Sequence, residues 1–147
     1  MAGVTFSFTN FMALIDLNIG IASRLDENRS ESFTILFCDF TGVAQNVVDD
    51  NLLALLRTSD SIVHYEQYYF FVMPYTDRYG TGIVKRMVDE VFARTIPSAA
   101  VCYPVNGENP TELLESLHLE AKKVNQINLD CLYDLLKIGR ASCRERV

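Results

Sequence analysis

Few side chains in this sequence have the type and spacing that binding or catalysis needs, and the clearest pair lies just before an apolar run. Arg57 and Asp60 stand three positions apart, and the residues that follow are rich in Ile, Val, Tyr and Phe. A guanidinium presents a planar fork of N–H donors that can bind two acceptors at once, and a carboxylate is a strong acceptor. At a corner between two elements, such a pair can hold a ligand or form a surface ion pair worth less than about 1 kcal/mol.

The remaining polar candidates do not assemble into a catalytic pattern. His64 and His118 are too isolated in the sequence to argue for a zinc site. The chain has no defensible Ser-His-Asp arrangement and no phosphate loop of the GxxxxGK type. We interpret His64 as a surface residue that faces a neighbouring strand. Asp39 ends an apolar run just before Thr41-Gly42, where a short acidic side chain is expected to cap the turn.

The composition indicates one globular domain that works without nucleic acid or a membrane. The chain has 147 residues, of which 49% are hydrophobic and 22% charged, and its net charge is −6. A negative surface suits neither nucleic acid nor anionic lipid, since both attract clustered Lys and Arg. No apolar run reaches the roughly 18 residues of a membrane span, and the N-terminus lacks the basic start of a secretory signal. The four cysteines form no CxxC pair, and we interpret Cys38 and Cys102, which lie inside apolar strand patterns, as small core residues of a reduced, cytoplasmic protein.

The last ten residues are excluded from the fold prediction. Residues 138–147 (IGRASCRERV) break the hydrophobic periodicity and resemble the translation of a sequencing adapter. We therefore expect a single domain over residues 1–137, followed by a non-native tail. The native sequence after position 137 is not predicted.

Hydrophobic periodicity predicts the element order helix, then β-α-β-β-α-β, then helix. The predicted helices cover 9–26, 43–56, the segment after Gly82, the segment from Asn109, and 128–137; the predicted strands cover 33–40, 61–65, 68–73 and 99–103. The run 33–40 is apolar almost throughout, which is typical of a strand buried on both faces. Asn109, Pro110 and Glu112 form a helix start with a capping box. We therefore expect an α/β fold: an α+β sandwich with a ferredoxin-like β-α-β-β-α-β core and flanking N- and C-terminal helices.

The predicted hairpin resembles the centre of the GGDEF domain family, the diguanylate cyclases, which make cyclic di-GMP from GTP. That family carries an RxxD motif, then a basic residue, then Gly-Gly-Asp/Glu-Glu-Phe on the turn between two strands. Arg57 and Asp60 fill the RxxD positions, and His64 stands at the basic position. The five signature positions hold Glu66, Gln67, Tyr68, Tyr69 and Phe70, and only Phe70 matches the family. Together with the element order, the resemblance covers residues 9–127.

The departures from the signature imply that the cyclase reaction has been lost. Two glycines let the family's backbone approach the nucleotide, and the side chains of Glu66 and Gln67 would hinder that approach. In the family, the signature acids help an Asp of the first strand to hold Mg²⁺, and Asp39 is the vestigial candidate for that Asp. Tyr68 and Tyr69 replace the acids, and a neutral phenol is a poor ligand for Mg²⁺. We therefore predict a degenerate domain that is not an enzyme and uses no cofactor.

The resemblance leaves open whether a nucleotide still binds. Arg57 and Asp60 match the site at which the family binds its product, cyclic di-GMP. A guanidinium can donate to O6 and N7 of guanine, and a carboxylate can accept from its N–H groups. Arg86 on the third predicted helix could add charge for a phosphate. The first hypothesis is therefore a cyclic di-GMP receptor that signals to a protein partner.

A ligand-free role is the alternative hypothesis. In it the domain is a structural, dimerisation or protein-interaction pseudoenzyme that contacts an unknown protein or a second copy of itself. The tyrosines of the predicted hairpin would supply the surface, since Tyr is enriched at protein interfaces.

Overall fold

A computed structural model describes residues 4–25 and 31–136, and it shows the predicted elements in the predicted order with one additional strand before the first helix. The strands are β1 (Val4–Phe6), β2 (Glu31–Asp39), β3 (Ser61–Tyr65), β4 (Tyr68–Pro74) and β5 (Ser98–Pro104). The helices are α1 (Phe11–Leu25), α2 (Gln45–Leu55), α3 (Arg78–Phe92), α4 (Pro110–Asn125) and α5 (residues 130–136). A 3₁₀ turn, Phe8–Asn10, leads into α1. The tail predicted over 138–147 lies outside the described residues.

The strands form one sheet in the order β1-β3-β4-β2-β5. β2 pairs antiparallel with β4 on one side and with β5 on the other, and β3 pairs antiparallel with β4. β1, a strand that the sequence analysis did not assign, adds to the outer side of β3 in parallel register. The other four strands lie in the order expected for a ferredoxin-like β-α-β-β-α-β core. The predicted α+β sandwich is therefore confirmed.

Hydrophobic clusters cover both faces of the sheet. On one face, α1, α4 and α5 pack over side chains such as Phe37 and Phe70. On the other face, α2 and α3 pack over side chains such as Leu36 and Phe71. β2 supplies alternate residues to the two clusters, which confirms the prediction of a strand buried on both faces. The hairpin of β3 and β4 is thereby held between two helical layers.

Helix α3 begins earlier than the sequence analysis predicts. The prediction placed its start after Gly82, but the helix runs from Arg78 because Asp77 caps it: Asp77 Oδ1 accepts a hydrogen bond from the N–H of Gly80 at 2.8 Å. Gly80 and Gly82 then lie inside the helix, where each glycine costs about 1 kcal/mol relative to alanine. Because glycine is unfavourable inside a helix, the two glycines make the sequence indicate a turn where the first turn of α3 lies.

Cys38 and Cys102 are buried in the core, as predicted, and Cys131 is buried as well; none of these three cysteines forms a disulfide. Cys143 lies outside the described residues. Burial raises the pKa of the Cys38 thiol to about 12 and that of the Cys131 thiol to about 11. Both therefore stay protonated near neutral pH and are poor nucleophiles. Among the described helices, none is both long and apolar enough to cross a lipid bilayer.

Candidate functional site

The predicted hairpin reverses at Glu66 and Gln67. Tyr65 and Tyr68 are the last paired residues, so the turn has two residues. Glu66 has a φ of 55°, in the left-handed region that glycine enters freely and that costs other residues about 1 kcal/mol or more. The carbonyl of Gln67 accepts a hydrogen bond from the N–H of Phe40 at 2.9 Å, which ties the turn to the end of β2. The turn thus keeps a backbone suited to glycine while carrying two exposed side chains.

Tyr69 fills the fourth signature position with a buried side chain. Its ring stacks on its cross-strand partner His64, with centroids 4.9 Å apart and an interplanar angle of 14°, and it meets Phe40 edge-on at 5.3 Å. Its hydroxyl donates a hydrogen bond to Asp49 Oδ1 at 3.0 Å. Burial, followed by the hydrogen bond to Asp49 and the charge of that carboxylate, raises the pKa of Tyr69 well above its usual value. The phenol therefore remains neutral, and His64 has the cross-strand role that the sequence indicates.

Tyr68 and Asp39 lie directly opposite each other on β4 and β2. Burial, and then the charge of Asp39, raises the pKa of Tyr68 above its usual value, so this phenol also remains neutral. Asp39 Oδ1 accepts hydrogen bonds from the N–H of Thr41 at 3.0 Å and from the Thr41 hydroxyl at 2.5 Å. The predicted turn-capping role of Asp39 is therefore confirmed.

A cavity of about 480 Å³ opens beside the turn, where the resemblance places the nucleotide. It is lined by Phe40, Val43, Gln45, Val48, Glu66, Gln67 and Tyr69. Glu66 is the one carboxylate in this lining, and Mg²⁺ prefers several hard oxygen ligands in octahedral geometry. Across residues 4–25 and 31–136, no group of three or more His, Cys, Asp or Glu side chains could hold a metal ion. The residues present do not fit the magnesium site that the resemblance implies.

The structure brings Arg57 and Asp60 together at the corner between α2 and β3. The Asp60 carboxylate is buried, with 4% of the side chain exposed. Its Oδ2 accepts from the Arg57 N–H at 2.8 Å, and its Oδ1 accepts from Arg57 Nη2 at 3.1 Å. The same Nη2 also donates to the carbonyl of Pro74 at 2.9 Å and to Thr76 Oγ1 at 2.8 Å. The pair is therefore an internal clamp that joins this corner to the end of β4.

Two features of the corner could not be seen in the sequence. The N-terminal strand reaches it, because the N–H of Val4 donates to the carbonyl of Asp60 at 2.9 Å. Pro74 and Thr76 complete the clamp, but in the sequence they indicate only a turn after β4 and not a contact with Arg57. The Arg57 side chain remains 55% exposed and borders a cavity of about 370 Å³. Arg86 lies exposed on α3 and is not among the residues that line this cavity.

Solved structures that share this architecture over most of the chain include two of one GGDEF domain. One is the GGDEF domain of TpbB, also called YfiN, from Pseudomonas aeruginosa: the TM-score is 0.65 at 14% identity, over 82% of this chain and 84% of that chain. A crystal structure of the same domain matches with a TM-score of 0.56 at 14% identity, over 80% of this chain and 88% of that chain. No family model and no curated protein matches the sequence. At this identity the similarity establishes the fold, so the chain has the GGDEF-domain fold, as the resemblance implies.

Proposed function

We propose that this chain, with its GGDEF fold, is a catalytically inactive signalling domain that acts through contacts with another protein. The observation that carries the proposal is the pair of tyrosines at the third and fourth signature positions. Tyr69 is buried and hydrogen-bonded to Asp49, and Tyr68 lies opposite Asp39. Phosphoryl transfer depends mainly on metal ions and positioned charge, and two neutral phenols supply neither.

The surroundings of the tyrosines support the same proposal. Asp39 is engaged with Thr41, so it offers a single carboxylate that already caps a turn. The glycines that would admit a nucleotide are replaced by Glu66 and Gln67, whose side chains line the cavity beside the turn. The buried cysteines without disulfides and the net charge of −6 favour a cytoplasmic protein whose partner is neither nucleic acid nor membrane.

We expect purified protein to make no cyclic di-GMP from GTP in the presence of Mg²⁺ or Mn²⁺. The measurement is chromatographic detection of product after prolonged incubation, with an active GGDEF domain assayed in parallel as the positive control. Product that increases in proportion to the concentration of this protein would refute the proposed loss of catalysis.

Cyclic di-GMP binding at the corner is the second candidate function. It is favoured by the exposed part of the Arg57 guanidinium and by the cavity beside it. In this candidate Arg57 and Asp60 would contact guanine and Arg86 would contact a phosphate. The geometry favours the ligand-free role more strongly, since Asp60 is buried and its oxygens already accept two hydrogen bonds from Arg57. A ligand would have to replace these internal contacts.

Calorimetric titration with cyclic di-GMP, and with GTP as a control ligand, separates the two candidates. We expect no heat beyond that of dilution, because the clamp satisfies Asp60 without a ligand. Heat that disappears in Arg57→Ala and in Arg57→Lys, but persists in Lys122→Ala on the opposite helical layer, would establish the receptor instead. Arg57→Lys retains the charge and loses the planar fork, so it distinguishes guanine recognition from simple attraction.

A further inference from the structure

The outer edge of β5 is capped at two places by asparagine side chains. The N–H of Cys102 donates to Asn106 Oδ1 at 2.8 Å, and the Asn106 N–H donates back to the Cys102 carbonyl at 2.8 Å. Asn125 Nδ2 donates to the carbonyl of Ser98 at 2.6 Å. Such caps limit the pairing of an edge strand with another chain.

Ala100 lies between these caps and has its backbone groups on the open side. In an antiparallel pair, alternate residues direct their N–H and C=O groups toward the partner strand and away from it. The backbone N–H of Asp39 on β2 donates to the carbonyl of Pro97, so Pro97 and every second residue after it direct their backbone groups toward β2. The residues between them, Ser98, Ala100 and Cys102, direct their backbone N–H and C=O groups away from β2. Within the described ranges, no residue pairs with the N–H or C=O of Ala100. The edge therefore presents the N–H of Ala100 as a donor and its C=O as an acceptor, and one residue of an extended peptide could pair with both.

A cleft of about 580 Å³ leads to this open position. Its floor is the β5 edge, one wall is α3 with Arg78, Gly82 and Lys85, and the other wall is α4 with Glu120 and Val124. A second copy of the domain would bring its own α3 and α4 against these walls before the two sheet edges could meet. The cleft therefore fits a single extended chain better than another sheet edge.

The charges of the two walls specify which extended chain fits. The Ala100 side chain packs on the α2/α3 face, and a residue paired opposite it has its side chain on the same face. That side chain would face Arg78 and Lys85. Both cations have partners within the protein, which for Lys85 is Asp89 at 2.6 Å, and their positive charge still favours an acidic residue over a basic one at this position. The residues before and after it would point to the α4 wall and meet Glu120, which favours basic residues.

We propose that this cleft binds an extended peptide of alternating charge, basic-acidic-basic, whose central residue pairs with the backbone of Ala100. The mode is the addition of a strand to a sheet edge, in which main-chain hydrogen bonds give affinity and side chains give specificity. The inference rests on the proposed protein-binding role and names the class of partner.

The probe is a fluorescein-labelled heptapeptide, Thr-Val-Lys-Glu-Lys-Val-Thr, and the measurement is fluorescence anisotropy at low ionic strength. We expect saturable binding, and binding about tenfold weaker for the charge-swapped peptide Thr-Val-Glu-Lys-Glu-Val-Thr, because each favourable contact becomes a repulsive one. In ¹⁵N NMR spectra, the amide resonance of Ala100 should shift on binding, because its N–H gains an acceptor.

Gly82→Leu is the blocking variant, and Gly20→Leu is its matched control. Both glycines lie in helices, and a Cβ at either position meets nothing within 4 Å, so both variants should fold and gain helix propensity. Gly82 lines the cleft, whereas Gly20 lies on α1 in the other helical layer. We expect Gly82→Leu to abolish peptide binding and Gly20→Leu to leave it unchanged.

Four outcomes would overturn the inference. They are absence of binding, equal affinity for the two peptides, binding that survives Gly82→Leu, and self-association of the protein that Gly82→Leu abolishes. The last result would show that a second copy occupies the cleft. None of these outcomes bears on the proposed loss of catalysis, which the GTP assay tests independently.

Discussion

Replacing Asp60 with alanine is expected to lower the free energy of unfolding by about 3 kcal/mol with no nucleotide present. The carboxylate is buried and accepts two hydrogen bonds from Arg57, one from its backbone N–H and one, charge-assisted, from its guanidinium. Its removal leaves the Arg57 N–H without an acceptor and releases the guanidinium that also holds Pro74 and Thr76. Urea unfolding followed by circular dichroism measures the change, provided that the slope with denaturant stays constant.

Two companion variants make this result specific to the clamp. Asp60→Asn retains one carbonyl acceptor in the same volume, so it should lose roughly half as much as the alanine variant. Arg86→Ala removes an exposed side chain on α3 and should change stability by less than about 0.5 kcal/mol. If Asp60→Ala were as stable as the wild type, the carboxylate would not be acting as a structural group. The hypothesis that it serves a ligand would then regain support.

Elements with a strong local pattern could be predicted from the sequence. The strand over 33–40 has an almost unbroken apolar run, and the observed β2 is buried on both faces as that run predicts. Two apolar runs around Glu66 and Gln67 predict the hairpin, and its observed strands, Ser61–Tyr65 and Tyr68–Pro74, agree closely with that prediction. The cap residue Asn109 predicts the start of α4, and the Asn109 side chain accepts a hydrogen bond from the N–H of Glu112 as expected. In each case residues that are close together in the sequence are sufficient to predict the element.

Features that depend on distant partners could not be predicted. β1 has three residues, too few for a pattern, and it exists because β3 offers a parallel edge. The RxxD spacing predicts that Arg57 and Asp60 lie near each other, but it does not show that the Arg57 guanidinium also binds Pro74 at the end of β4 and Thr76 just after it. The sequence also could not show that Asp49 would meet Tyr69, because that contact depends on how α2 lies over the sheet. The direction and partners of a side chain are thus less predictable than its element.

Tyr69→Glu, which restores the family's residue at the fourth signature position, is expected to lower the free energy of unfolding by about 3–5 kcal/mol. The substitution removes a buried ring that contacts His64 and Phe40. It also places a carboxylate in an apolar site within reach of Asp49, and the two negative charges would repel each other. Urea unfolding measures the loss, and the GTP assay on the folded fraction should still show no product.

Tyr69→Phe separates the two causes of this loss. It keeps the ring and removes the hydroxyl, and Asp49 is exposed enough for water to replace the lost bond, so the expected cost is about 1 kcal/mol or less. A large gap between the phenylalanine and glutamate variants would show that the surroundings of position 69 have adapted to an aromatic side chain. If Tyr69→Glu were stable and, combined with Tyr68→Asp, made cyclic di-GMP, the catalytic geometry would have survived intact. The expected instability instead means that recovering the reaction would also require changes around Asp49, His64 and Phe40, beyond the two signature positions.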